Sequence, residues 1–439
     1  MRVTRLKIAN LRAIEEAALR FRPGFNLIVG VNGVGKSTVL DALRICMSRI
    51  LPLITKTRAK AMSFGADDIR NNFPFLDVEL FFETNKLDFR FTRQQWRQSI
   101  AVDDAENLSK LRREILDADR LRDRARNLLR ELDTSQGIVD TDNFEPSLAV
   151  LKTTSSKSRV VPNCIYFSTT RSVASNASGL KTKAVGEEAV AYAEALLPRP
   201  MYVAQFADWM RVQGVLAGER RVAGRHLRVL ESAVNRFLPD YKNLRPDRNS
   251  DARLLIDHGG ITLDVSQLSD GERGVLALVL DLARRLSQAN PLLGDPLRDG
   301  EAIVLIDEID LHLHPKWQRT IVEHLTGVFP RCQFIATTHS PQIVAAVEPE
   351  QVQLLSPAEV LHPDRSLGMD SNWILRYLME ADDRPENAAK SIEAVEGLIK
   401  KGNFKLARAA IVNAKRKGLD LPEWSVMEAR MARLELLIK

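Results

Sequence analysis

Apolar positions in this chain fall into short strand-like runs near the N-terminus and into helical stripes further on. Residues 3–8 alternate apolar and polar, the period of a half-buried strand, and 18–21 read as a second strand. Arg22-Pro23-Gly24 reads as a turn. Phe25–Val29 follows as a short apolar stretch, interrupted only by Asn26, the pattern of a buried strand. Residues 38–45 then have the spacing of a helix. Residues 77–83 and 87–91 alternate on either side of Asn85-Lys86, which predicts a hairpin. Over 104–133 the chain is charged, and Leu108, Leu111, Ile115, Ala118, Leu121, Ala125, Leu128 and Leu132 recur every three or four residues. That stripe fits a helix packed on its own domain or a short projecting arm. Residues 134–160 read as a loop, 162–167 as a buried strand, 183–240 as mostly helical, and 254–265 as strands again. Residues 274–288 are helical. Residues 303–306 form a buried apolar strand, and 334–339 form a strand ending in a histidine. Three amphipathic helices, 387–401, 405–417 and 423–437, close the chain, joined at Gly402-Asn403 and Gly418-Leu419-Asp420.

A length of 439 residues suits one large domain with an insertion or two domains. A hydrophobic content of 45% supports a proper core. No run of 18 apolar residues is present, so no segment is expected to span a membrane and no membrane partner is expected. The N-terminus lacks the apolar stretch of a signal peptide. Cys46, Cys164 and Cys332 are odd in number and have no metal-ligand spacing. They read as reduced thiols, which places the expected location in the cytoplasm. The net charge of +6 is compatible with a nucleic-acid partner but too mild to argue for one.

The chemistry starts at Gly30-Val31-Asn32-Gly33-Val34-Gly35-Lys36-Ser37, a complete G-x-x-x-x-G-K-S phosphate-binding loop between a strand and a helix. Gly30, Gly33 and Gly35 are expected to tolerate positive φ and let backbone amides approach phosphate oxygens. Lys36 would place its ammonium on the β- and γ-phosphates, and the Ser37 hydroxyl would coordinate Mg²⁺. The positive end of the following helix faces the anion. Asn32, Gly33, Gly35, Lys36, Ser37 and Thr38 are the candidate ATP-binding residues of this segment. Ile303-Val304-Leu305-Ile306-Asp307-Glu308 places two carboxylates at the tip of a buried strand, as a magnesium site requires. Asp307 would hold Mg²⁺ through water, and Glu308 would act as the general base for the attacking water. Leu268-Ser269-Asp270-Gly271-Glu272-Arg273 opens a helix. Ser269 with Glu272 three residues on also makes a good capping box. His312 and His314 stand close together, but no Cys or third His near them supports a metal site.

The L-S-x-G-E hexapeptide resembles the signature of ABC-type ATPases. The resemblance implies that Ser269, Gly271 and Glu272 complete the ATP site of a second copy, so that two ATPs are sandwiched between two heads. Phe334-Ile335-Ala336-Thr337-Thr338-His339-Ser340 resembles the switch segment of that family and makes His339 a γ-phosphate sensor. Leu6-Lys7-Ile8-Ala9-Asn10-Leu11-Arg12 resembles the opening strand of the RecF/SMC branch, where the arginine approaches nucleotide, so Arg12 is a further candidate contact. No Q-loop glutamine stands out. The turn Tyr166-Phe167-Ser168-Thr169-Thr170-Arg171 lies about where that segment belongs.

The arm is far shorter than the coiled coils of SMC proteins. The last hundred residues lack the carboxylate pattern of the Toprim domain that OLD nucleases carry. Leu268 to Arg273, Leu305 to Gln318, Thr337 to Gln342, Gly368-Met369-Asp370-Ser371-Asn372 and the helical tail are together similar to PtuA, the ATPase of Septu anti-phage systems and of some retron systems. The expected fold is α/β, an ABC-type P-loop ATPase head with helical insertions and an all-helical C-terminal tail. Its parts are 1–100 (first part of the head), 101–160 (helical arm), 161–380 (remainder of the head) and 381–439 (TPR-like tail). Such a pair of tail helices must cover its apolar face on the head, another subunit or a partner.

The resemblance implies an ATP- and Mg²⁺-dependent regulator in phage defence, acting as a dimer or higher oligomer through its ATP heads. Its implied partner is a separate HNH nuclease like PtuB, with a retron reverse transcriptase and its DNA as further partners. No nuclease site is read in this chain itself. The alternatives are a RecF-like DNA-repair ATPase and a defence ATPase of the PARIS type.

Overall fold

Strands are numbered along the chain as β1 (Arg2–Leu11), β2 (Ile14–Arg20), β3 (Phe25–Val29), β4 (Phe75–Thr84), β5 (Leu87–Trp96), β6 (Thr141–Glu145), β7 (Asn163–Phe167), β8 (Val173–Ala174), β9 (Met201–Tyr202), β10 (Tyr241–Pro246), β11 (Leu254–His258), β12 (Ile261–Asp264), β13 (Ala302–Ile306), β14 (Gln333–Thr337), β15 (Val352–Leu355) and β16 (Val360–Leu361). The computed structural model describes residues 1–57, 59–96, 141–145, 148–156, 160–171, 173–174, 188–248, 253–357, 359–380 and 385–438. The helical stripe expected over 104–133 lies outside the described residues. Two compact units emerge, Met1–Met369 and Asp370–Lys439.

The first unit is organised on a six-stranded sheet in the order β16-β15-β3-β14-β13-β7. All neighbours run parallel except β16. Every residue of β3, β13 and β14 is buried. Strands covered on both faces have no polar side to alternate with, hence their mostly apolar sequences, and the buried Asn26, Gln333 and Thr337 are each hydrogen-bonded. The register aligns their C-terminal ends, with Ile306 opposite Ala336 and Phe167, and Thr337 opposite Ile28. In a parallel sheet the crevice beyond those ends is where ligands bind.

A second, antiparallel sheet, β2-β1-β4-β5-β6, shares its core with the helix Lys36–Ile54. Asn85 and Lys86 both have positive φ, 49° and 65°, the two-residue hairpin turn expected between β4 and β5. A third sheet, β10-β11-β12, is a small meander. Beside it run the helices Val203–Leu216 and Arg221–Phe237, the main helical content of 183–240.

Two expectations need correction. The stretch 134–160 is not all loop, since β6 pairs with β5 and Leu148–Ser156 is helical with Leu151 fully buried. Its short polar sequence hides a strand because β6 is an edge strand. Likewise β14 ends at Thr337, so His339 stands in the turn beyond it rather than at the strand's end. Thr338 and His339 bind a side chain instead of continuing the ladder.

No described helix is long and apolar enough to cross a membrane. Cys46, Cys164 and Cys332 are all buried, and burial pushes the Cys332 thiol up to about 12.

In the second unit the division falls ahead of 381, because the helix Ser371–Leu378 goes with the tail. The helices Glu386–Lys400, Phe404–Arg416 and Glu423–Ile438 match the expected three. Val395, Ile399, Ala407, Ile411 and Ala414 of the first two pack with Trp424, Met427 and Met431 of the third. The helix pair therefore covers its apolar face with its own neighbour. Trp424 is fully buried and its indole N–H donates to the Leu419 carbonyl at 2.8 Å. Trp424→Ala is expected to cost the tail about 3–5 kcal/mol. Hydrogen exchange in the full chain would read this as lost protection across 386–438, with the first unit unchanged.

Candidate functional site

The phosphate loop joins β3 to the helix Lys36–Ile54, at the crevice beyond the sheet. Gly33 and Gly35 hold positive φ, 80° and 110°, as expected. Gly30 does not. Its glycine is needed because a Cβ there would lie 2.6 Å from the Leu355 carbonyl oxygen of β15. Asn32, Gly33 and Ser37 are exposed, while Lys36 and Thr38 are buried at the helix start. The Lys36 ammonium turns back to donate to the carbonyls of Gly30 and Val31, both at 2.9 Å. Burial pulls its pKa below the usual value, opposed by the carboxylates of Glu308, Asp307 and Asp310. A buried ammonium with partial partners attracts a polyanion.

Because β14 lies between β3 and β13, its last residue reaches both neighbours. The Thr337 hydroxyl donates to Asp307 Oδ1 at 2.7 Å and accepts the Glu308 N–H at 2.7 Å. The Ser37 hydroxyl donates to the same Asp307 oxygen at 3.0 Å. Ser37, Asp307 and Thr337 thus place three oxygens together, which suits a hard divalent cation such as Mg²⁺.

Glu308 has φ 47°, left-handed for a residue with a side chain, at a cost of about 1–2 kcal/mol. The turn is pinned on all sides. Asp307 N–H donates to the Phe167 carbonyl at 2.8 Å, and Ile309 N–H to the Thr337 carbonyl at 2.9 Å. The Arg171 guanidinium donates to the backbone carbonyls of Asp307 and Glu308 and, at 3.2 Å, to that of Ser168. Burial pulls the Arg171 pKa down to about 10, against the pull of Asp310, Asp307 and Glu308. Asp310 accepts from the Thr338 hydroxyl at 2.6 Å and from the His339 N–H at 3.2 Å, which ties the turn after β14 to the acidic loop.

Sequence reading singled out neither Arg171, Thr337 nor Asp310 as a site residue. Their signal was positional, since each sits at or just beyond the C-terminal end of a strand in the central sheet.

The structure gathers the phosphate loop, Asp307, Glu308 and His339 at one crevice. Arg12 is engaged differently. Its guanidinium bridges Asp41 of the phosphate-loop helix and Asp68, both at 2.7 Å. Ser269, Gly271 and Glu272 stand on a separate turn that caps the helix Asp270–Ala289. Among the described residues no hydrogen bond joins that turn to the phosphate loop. It packs on the acidic loop instead, for a Cβ on Gly271 would lie 2.5 Å from the His312 carbonyl. His314 caps the helix Pro315–Val328 through Nδ1, and among the described residues no three His, Cys, Asp or Glu side chains come together as a metal-ligand group.

Residues 5–171 match a family model described as "AAA domain". Residues 206–345 match one described as "AAA domain, putative AbiEii toxin, Type IV TA system". The chain is 42% identical over 165 residues to a protein of Escherichia coli described as the probable ATPase of retron Ec83. That match covers 37% of this chain and 30% of the relative. It is 36% identical over 193 residues to the probable ATPase of retron Vc95 from Vibrio cholerae, covering 42% and 37%. Septu protein PtuA of Bacillus mycoides is 46% identical over 77 residues, 18% of this chain and 10% of that one. The matched segments thus span about a third of the retron relatives. An SMC head bound to the C-winged helix domain of ScpA aligns with 83% of this chain and 98% of that one, at 13% identity and TM-score 0.46. Two segments of this chain thus match AAA domain models, and parts of it are similar to the retron ATPases and to Septu PtuA.

Proposed function

We propose that the chain binds and hydrolyses MgATP at a site completed by a second copy, and that this cycle restrains or licenses a separate nuclease in phage defence. The observation that carries the ATPase reading is the cluster in which Ser37 and Thr337 converge on Asp307 beside a pinned Glu308. Lys36 would exchange its two loop carbonyls for β- and γ-phosphate oxygens. Ser37 would ligate Mg²⁺ directly and Asp307 through water. Bound Mg²⁺ neutralises charge developing on the phosphoryl oxygens. Glu308 would orient the attacking water and take its proton, and His339 would sense the γ-phosphate. Positioning and charge supply the catalysis, with no covalent intermediate on the protein.

Ser269 is exposed at a helix N-terminus away from its own phosphate loop, which supports its presentation to a second copy's ATP. Arg12 would act on the nucleotide indirectly, by steadying the phosphate-loop helix through Asp41.

Arg171 follows as a positioning residue. A lysine there reaches one carbonyl where the guanidinium fork spans two. Arg171→Lys is expected to lower kcat about a hundredfold through misplacement of Glu308, with ATP affinity kept within about threefold. Steady-state hydrolysis together with calorimetric ATP titration would separate the two effects.

The defence role rests on the retron and Septu relatives. The nuclease is expected to be an HNH protein like PtuB, with a reverse transcriptase and its DNA in a retron setting. Gentle affinity purification from the native host, with mass spectrometry and nucleic-acid sequencing, tests it. A stoichiometric small nuclease supports the reading. Recovery with repair proteins and bulk DNA supports a RecF-like role instead.

A further inference from the structure

The turn that opens the helix Asp270–Ala289 is held from outside. Glu272 folds back so that its Oε2 accepts the Ser269 N–H at 2.9 Å and the Ser269 hydroxyl at 2.7 Å. Its other oxygen, Oε1, accepts the Tyr241 hydroxyl at 2.6 Å. Three donors on one carboxylate leave it little freedom. Burial disfavours the charged form of Glu272, and the hydrogen bonds from Tyr241 and Ser269 outweigh it, holding the carboxyl below its usual value.

Tyr241 is itself well fixed. It opens β10, is buried, and stacks on His258 of β11 with ring centroids 4.4 Å apart and planes 11° from parallel. Its backbone N–H donates to the Leu238 carbonyl at 2.9 Å. A capping box needs only its serine and its glutamate. The buried tyrosine adds nothing to that cap, yet it sets which way the glutamate, and through it the Ser269 hydroxyl, points. On the opposite side Gly271 lies against the His312 carbonyl of the acidic loop.

We propose that Tyr241 is a positioning residue for the half-site that this chain offers to a second copy. Its hydroxyl fixes Glu272, and Glu272 holds the turn from which the Ser269 hydroxyl would swing its one proton from Oε2 to the other copy's γ-phosphate. The three-stranded sheet β10-β11-β12 thereby sets whether the turn is competent to close on ATP. The proposal rests on the shared ATP site described above.

Tyr241→Phe removes the hydroxyl and keeps the ring stacked on His258, so the fold is retained. The lost hydrogen bond to a charged group predicts a fall in kcat of about tenfold or more. ATP affinity at the variant's own phosphate loop stays within about threefold, since no Tyr241 contact reaches it. The decisive test is mixing. Full-length Tyr241→Phe is titrated with Lys36→Ala, which is itself inactive but offers an intact signature turn. In a mixed pair the ATP on the Tyr241→Phe copy faces that intact turn. Turnover per Tyr241→Phe chain is expected to rise with added Lys36→Ala, which a merely structural role would not produce. Wild-type turnover by Tyr241→Phe, or a rate that mixing leaves flat or lowers, overturns the proposal. A wild-type chain whose mass in solution does not rise when a non-hydrolysable ATP analogue with Mg²⁺ fills its site overturns the shared-site reading and the proposal together, before any variant is made.

Discussion

Lys36→Ala is expected to abolish ATP binding, with affinity falling at least about a hundredfold given two or more charge-assisted hydrogen bonds lost to phosphate. The lysine is buried at the floor of the loop, and its ammonium already sits on the carbonyls of Gly30 and Val31. Those carbonyls have no claim on a full positive charge, so phosphate oxygens would displace them. The carboxylates of Asp307, Glu308 and Asp310 act on the same ammonium. Without it the crevice is left with their negative charge, which repels a triphosphate. Titration calorimetry with MgATP reads the loss directly, and an unchanged circular dichroism spectrum shows that the sheet persists. Retained binding would remove the site assignment.

Glu308→Gln gives the second large effect and the opposite pattern. Its backbone is held by the Thr337 hydroxyl and by Arg171, neither of which touches the side chain's carboxylate. The substitution therefore keeps the turn and removes the base. ATP affinity is expected to stay within about threefold while kcat falls by about 10²–10⁴-fold, the usual worth of a positioned general base. Single-turnover hydrolysis of labelled ATP makes the comparison. An unchanged rate would mean that another group activates the water.

Much of this site was legible in the chain because it is local. The phosphate loop, the two carboxylates after a buried strand and the glutamate that completes a capping box are each read within eight residues. The buried strands were legible for the same reason, since burial on both faces writes a mostly apolar run. What escaped depends on topology. Thr337 matters because β14 separates β3 from β13, an order that no spacing along the chain encodes. Arg171 binds carbonyls 136 and 137 residues away, and backbone acceptors leave no mark on sequence. Gly30 was identified correctly as necessary but for the wrong cause, a close carbonyl on β15 rather than positive φ. The edge strand β6 was missed because it is polar and is paired on one side only.

The central claim is that one copy's phosphate loop is completed by another copy's Ser269 turn. Its most direct test is the mass in solution of Glu308→Gln, measured by light scattering with and without MgATP, because blocked hydrolysis should hold the sandwich closed. The account predicts that MgATP doubles the mass of the assembling unit and that the double variant Lys36→Ala/Glu308→Gln, which carries both substitutions in one chain, shows no change. A mass that stays constant while calorimetry shows the site filled with ATP would contradict it.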